Sequence, residues 1–197
     1  MSRLFTGHAT HCWQFAPNLP EARGHYAFIL PEEDQHPALI DALCRHYANL
    51  WRAPLALLEA RPVFVSNLRV WENIILPTWY HAGAPLGELD GRMQAMLAGL
   101  QYDEAALQRA LAQLPAQLDT PHRRLAALLR ALLQHPQAIL LDEAWLAWLA
   151  QSRARGSLLS QLYDRYTALE YVFVLCNHEA PEGYTPISCR WVSEESA

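Results

Sequence analysis

Three short apolar runs set the terms for any fold: Tyr26 to Leu30, Ala138 to Leu141 and Tyr171 to Cys176. Each is too short for a buried helix, and each stops at polar or turn-forming residues, as a strand covered on both faces does. The first lies between Gly24 and Pro31, the second ends in Asp142-Glu143, and the third ends in Asn177-His178-Glu179. Segments of helical period stand between and around them. Leu39, Ile40, Leu43, Tyr47, Leu50 and Trp51 recur at helical spacing. Glu88 to Leu114 reads as two helices closed by Pro115, and a further helix starts with Pro121 behind a Thr120 cap and runs to Gln134, ahead of Pro136. One more helix is expected from about Leu158 to Leu169. Between Pro54 and Pro85 the chain reads as extended and aromatic, with Val63-Phe64-Val65 as another strand. Apolar strands alternating with helices predict an α/β domain, a mostly parallel sheet flanked by helices, with Tyr26–Leu30, Ala138–Leu141 and Tyr171–Cys176 side by side. Polar residues just past strand ends are where such sheets place their sites, so Asp142 and His178 are expected at one sheet end.

A chain of 197 residues with 52% hydrophobic content fits a single domain spanning 1–197 with a real core. Its net charge of -5 gives no general electrostatic drive toward nucleic acid or an anionic membrane. Cys12, Cys44, Cys176 and Cys189 lack metal-type or redox-type spacing, and no apolar stretch is long enough to cross a bilayer. Without a secretory leader, a cytoplasmic location with reduced thiols is expected. All 15 basic residues are arginine, so no mechanism that needs a lysine is open to this chain.

Taken in order, these segments resemble the nucleotide-binding domain of the ABC transporter family over roughly residues 13 to 192. Ala138-Ile-Leu-Leu-Asp-Glu143 resembles the Walker B strand, whose Asp helps hold magnesium and whose Glu polarises the attacking water. The stretch from Leu118 to Pro136 is similar to the signature helix, with Leu118, Arg123, Ala127, Arg130, Ala131, Leu132 and Pro136 at matching positions. His178 stands where the family has its switch histidine. The resemblance implies a P-loop NTPase architecture with a helical subdomain at about 82–135. It also implies catalytic positions at Asp142, Glu143 and His178. Ser66-Asn-Leu-Arg-Val-Trp-Glu-Asn-Ile-Ile-Leu-Pro77 resembles the segment after the Q-loop, which in this family faces the membrane subunit, and within the family it is similar to the ATPases of MCE-type lipid transporters. By that likeness Val70, Trp71, Ile74, Trp79 and Tyr80 would meet a partner.

The pattern fails where ATP should bind. A phosphate loop needs glycines that let backbone N–H groups surround the anion, a lysine, and a hydroxyl for magnesium. In its place stand Glu32, Glu33, Asp34, Gln35 and His36, with no glycine between Gly24 and Gly83. Like charges about 4 Å apart repel by roughly 1 kcal/mol in water and by several times that in a partly buried cleft. The signature's Ser and Gly are replaced around Asp119-Thr120-Pro121-His122, the aspartate expected past Walker B falls in apolar Leu146-Ala147-Trp148-Leu149, and the Q-loop glutamine falls near Ala60. ATP and magnesium, the family's cofactors, are therefore expected to be lost, and Asp142, Glu143 and His178 to be remnants that cap or solvate the sheet edge. The expected function is that of a pseudo-ATPase, a structural or regulatory subunit of a membrane transport assembly, with lipid transport as one such setting. Its partner would be a permease subunit or a sister ATPase, with dimerisation an open option and attachment to the inner face of the plasma membrane only through that permease. Two rival readings stand beside it: a nucleotide-binding ATPase with an altered phosphate site, and a free-standing cytoplasmic interaction protein. His8, His11 and Cys12 lack a fourth ligand, so no metal site is expected, and Ser157 and Ser160 lack the context of a nucleophile.

Overall fold

A computed structural model describes residues 11–15, 20, 22–30, 36–51, 55–168 and 170–193. Glu32, Glu33, Asp34 and Gln35, together with His8, lie outside them. Among the described residues seven strands and seven α-helices follow in order: β1 (His11–Phe15), β2 (His25–Ile29), α1 (His36–Trp51), β3 (Leu55–Leu58), α2 (Val70–Ala82), α3 (Leu86–Leu97), α4 (Glu104–Ala112), α5 (Thr120–Leu132), β4 (Ala138–Asp142), α6 (Ala144–Ala154), α7 (Leu158–Thr167), β5 (Tyr171–Cys176), β6 (Thr185–Ile187) and β7 (Cys189–Ser193), with a short 3-10 turn at Pro115–Gln117 ahead of α5.

The sheet order is β3-β4-β5-β2-β6, and every pairing in it is parallel. The three apolar runs form its centre, with Tyr26 and Leu140 both opposite Phe173. Strand alternation divides their side chains between two core layers. Ile139, Leu141, Val172 and Val174 face α2, α5, α6 and α7, whereas Ala138, Leu140, Phe173 and Leu175 face Leu39, Leu43 and Tyr47 of α1. Because both faces are covered, these strands are apolar at every position, which is why they show as unbroken runs in the sequence. β1 and β7 form a separate antiparallel pair.

Several expectations are corrected. Val63 to Val65 forms no strand and pairs with none among the described residues; the sheet edge is β3, at Leu55–Leu58. A side chain takes the place of the missing strand. Asn73 Oδ1 accepts from Val65 N (2.7 Å) and its Nδ2 donates to Val65 O (3.0 Å), while Arg130 Nη1 donates to Val63 O (2.6 Å). Val70 to Ala82, read as extended, is helix α2 despite Pro77. Val70, Ile74, Ile75 and Thr78 turn one buried stripe toward the core, and that burial outweighs the single backbone donor a proline lacks. Gly83 ends α2 with φ 62°, donating its N–H to Trp79 O (3.1 Å), a conformation that favours glycine. The helical insertion between β3 and β4 thus begins at Val70, ahead of the expected 82. In α5 the cap is Asp119, whose Oδ1 accepts from His122 N (2.8 Å), and Thr120 is already helical. Helix α6 and strands β6 and β7 were not foreseen.

Candidate functional site: an acidic cleft and an apolar groove

The carboxyl ends of the strands open into a cleft of about 900 Å³. Because β4 and β5 run parallel with Asp142 opposite Leu175, Asp142 and the Asn177-His178 turn share one sheet end, as the strand pattern predicts. The described walls carry Asp142, Glu143, Glu179 and Glu182, apolar Leu146 and Ala147, and one imidazole, His36 at the start of α1. No arginine is among them. His36 Nε2 is buried and has no hydrogen-bond partner among the described residues. His178 is exposed and does not line the cleft.

Asp142 has a local task. Its Oδ1 accepts from Ala144 N (2.8 Å), satisfying one of the unpaired donors in the first turn of α6. That turn is fixed from below by Trp145, which is fully buried and donates from Nε1 to Glu59 O (3.0 Å). Glu143, next to it, is exposed and caps nothing with its side chain. Cys176, at the end of β5, is fully buried and lies within reach of these carboxylates. Its thiol is pushed up to about 12, first by burial and then by the carboxylates of Glu143 and Asp142. The described lining does not fit a nucleoside triphosphate with its magnesium. Four carboxylates face the space, no guanidinium does, one oxygen of Asp142 is engaged by backbone, and no group of three His, Cys, Asp or Glu among the described residues is arranged to hold a metal.

A second depression, about 590 Å³, lies between α2 and α3. Trp71, Ile75, Leu76, Trp79 and Leu86 line it, with Glu72 and Asp90 at its margin. Trp79 is 51% exposed, Leu86 58% and the adjacent Tyr80 74%, so three large apolar side chains face solvent within two neighbouring helices. Of the five residues expected at a partner surface, the structure separates two from the rest. Val70 and Ile74 are 1% and 0% exposed and belong to the core, because they occupy the inner stripe of α2. Trp71 is half-buried, while Trp79 and Tyr80 stand outside. Leu86 was missed; its place at the head of α3, opposite Trp79, is set by the turn at Gly83 rather than by any local pattern.

Beneath this groove Asn73 holds the approach to α2. It is 2% exposed, and besides its two bonds to Val65 it donates to Leu68 O (3.0 Å) and Arg69 O (3.1 Å). Arg69 N in turn donates to Glu72 Oε2 (2.6 Å), closing the helix start. One buried amide thus fixes the loop that carries Val63, Phe64 and Val65 to the helix that carries Trp79.

No protein-family model matches the chain. It is 30% identical over 151 residues to the methionine import ATP-binding protein MetN of Xanthomonas axonopodis pv. citri (strain 306), an alignment that takes in 77% of this chain and 41% of that protein. The chain therefore spans less than half the length of this curated relative. Among solved structures it superposes on the dimeric bacterial ABC transporter cassette MJ0796 with a TM-score of 0.58 at 16% identity, covering 86% of both chains. The ATP-binding subunit of an ABC transporter gives 0.54 at 18% identity over 79% of this chain and 68% of that one. CbiO1 of Clostridium perfringens, part of the cbiONQ transporter complex, gives 0.54 at 13% identity over 82% and 70%.

Proposed function

Because this chain belongs to the family of ABC-transporter nucleotide-binding domains, we propose that it acts through protein contacts, as an ATPase-like subunit of a membrane transport assembly that neither binds nor hydrolyses ATP. The observation that carries this reading is the contrast between its two depressions. The end of the sheet offers four carboxylates and no arginine to a polyphosphate, whereas the α2–α3 groove presents solvent-facing Trp79, Tyr80 and Leu86. In this reading the groove seats an apolar segment of a permease subunit. Exposed aromatic side chains beside a preformed groove are the usual anchors of such contacts. Among the described residues no helix is long and apolar enough to cross a membrane, so the proposed membrane attachment runs through the partner. A role in lipid transport rests on the resemblance of Ser66 to Pro77 alone.

Two measurements test the proposal. Calorimetry with ATP and magnesium at millimolar concentration is expected to give no binding heat, and a phosphate-release assay no turnover. Release of phosphate that Glu143→Gln abolishes would overturn the pseudo-ATPase reading. For the groove, Trp79→Ala is expected to reduce affinity for a permease subunit by about thirtyfold, or ~2 kcal/mol, with an unchanged melting temperature. Undiminished co-purification of Trp79→Ala and Tyr80→Ala variants would remove the docking claim.

A further inference from the structure

The groove between α2 and α3 continues past Trp71. Beyond that ring lies a further depression, about 450 Å³, walled by α3 and α4, and Trp71 and Asp90 line both. Their common wall is a single face of α3. Leu86 and Asp90 border the first depression, and Asp90, Met93 and Leu97 the second, at spacings of three and four residues that keep them on one side of a helix. From Leu86 to Leu97 that face is roughly 16 Å long at about 1.5 Å per residue, close to three helical turns. Opposite it stand Ile75 and Trp79 of α2 at one end and Leu107 and Leu111 of α4 at the other. The two depressions thus form one trough that is apolar along its length.

The charges along this trough have one sign. Glu72, Asp90 and Glu104 line it, and among the described residues no arginine or histidine does. All three are exposed, and none is ion-paired with a cation among the described residues. Two of them are held by amides instead. Gln94 Nε2 donates to Asp90 Oδ2 (3.1 Å) from one turn further along α3, and Gln108 Nε2 donates to Glu104 Oε1 (3.1 Å) from one turn further along α4. A neutral amide steadies a carboxylate and leaves its charge uncompensated. The arginines that could neutralise it are engaged elsewhere: Arg92 pairs with Glu88, Arg153 pairs with Asp164, and Arg124 lies 3.4 Å over the Trp148 ring. The helix dipole accounts for Glu72 and Glu104, each in the first turn of its helix. It does not account for Asp90, which is a full turn inside α3.

We propose that the segment this trough receives is a basic amphipathic helix of the partner, with its apolar stripe laid over both depressions and its arginine or lysine side chains reaching Asp90 and Glu104. The inference rests on the docking role proposed for the α2–α3 groove and adds the chemistry of the occupant. An amphipathic helix repeats its apolar residues at the same spacings of three and four that the α3 face presents, and about three turns of it fill the trough. Charge at the margin then selects among apolar segments of equal fit, because a like-charged segment is repelled on approach. The same three carboxylates argue against a lipid surface as the occupant, since a helix face that lies on an anionic bilayer is flanked by basic side chains.

Fluorescence anisotropy with two labelled synthetic peptides tests it. Both are about 18 residues long, enough to hold helical structure, and share one leucine stripe; one carries arginine on its polar face and the other glutamate. The basic peptide is expected to bind about tenfold more tightly or better at ~0.1 M salt, with the margin shrinking at ~0.5 M. Asp90→Asn with Glu104→Gln removes both charges at nearly constant shape, and is expected to erase that preference without moving the melting temperature. Asp90→Arg with Glu104→Arg is expected to invert it. Glu182→Arg, which lies in the cleft and outside the trough, is expected to change nothing. Equal binding of the two peptides, binding of neither, or a preference that survives the neutral double variant would each overturn the proposal. The docking role itself is read separately. If Trp79→Ala abolishes binding of both peptides while the neutral double variant binds them as the wild-type chain does, the groove docks a partner and only the basic character of that partner is wrong. If the chain sediments with vesicles of phosphatidylglycerol and Trp79→Ala releases it, the trough faces lipid and the proposal falls.

Discussion

The cleft and the groove sit on the same scaffold and carry opposite chemistry. Both are backed by the core layer that contains Trp145, Val70 and Ile74. At the cleft the parallel strands β4 and β5 end together, and the described walls carry four carboxylates and no arginine. At the groove the chemistry is apolar, and the backbone is secured by a dedicated polar peg. The difference teaches that a fold does not transmit function as a unit. Packing conserves the positions of loops, whereas charge and exposure at the loops decide what each position can still do.

The largest expected effect tests the shared base. Trp145→Ala empties a fully buried site and removes the bond to Glu59 O, and is expected to destabilise the chain by about 3–5 kcal/mol in denaturant titration, with protection lost at cleft and groove alike. A loss confined to one region would show that the two do not share a core. Next, Asn73→Ala leaves the Val65 N–H and the Leu68 carbonyl without the bonds Asn73 gives them, removes one of two donors from Val65 O and Arg69 O, and is expected to cost about 2–3 kcal/mol. Hydrogen exchange should quicken over residues 63–70 while β4 and β5 stay protected; uniform quickening would dissolve the distinction drawn here. The sign of the cleft's field can be broken by Glu143→Gln with Asp142→Asn. In a chain whose other cysteines are serine, thiolate absorbance should show the Cys176 pKa falling from about 12 yet staying above the ordinary thiol range, since burial is the larger cause. No movement would mean that the carboxylates do not act on this end of the sheet.

The smallest effect concerns Asp119. The backbone N–H of His122 is the main cause that holds its carboxyl below the usual carboxylate range. A carboxyl depressed in the folded state contributes stability above its unfolded pKa, near 3.9, and loses it as pH falls through the lower folded value. Asp119→Ala is therefore expected to cost about 1 kcal/mol at neutral pH, and the gap to the wild-type chain to close as pH falls below 4. A gap that persists at low pH would remove Asp119 as the cap of α5.

Elements buried on both faces were legible because burial leaves its mark on every residue. Tyr26 to Leu30, Ala138 to Leu141 and Tyr171 to Cys176 needed no partner to be seen. The segment Val63 to Val65 has the composition of a strand and lacks only a neighbour, and no local signal says that a side chain eight residues on will satisfy it. Helix α2 was hidden by Pro77, and α6 by its nearly uniform apolar character from Ala144 to Leu149, which gives no clear period. At the site, the identities of Asp142, Glu143 and the residues between β2 and α1 were plain in the sequence. That Asp142 would bond Ala144, that Val70 and Ile74 would face inward, and that Arg124 would settle on Trp148 depend on helix phase and on packing between distant elements.

The bond from Asp142 to the first turn of α6 bears on how such chains are recognised. A carboxylate that organises the start of a helix is needed for folding, whatever reaction it also serves. An apolar strand ending in Asp-Glu is therefore not by itself a record of catalysis, because its Asp also holds the helix that follows. Residues that touch only a ligand carry no such second constraint. The order in which a site decays is therefore set by which of its side chains the backbone also needs.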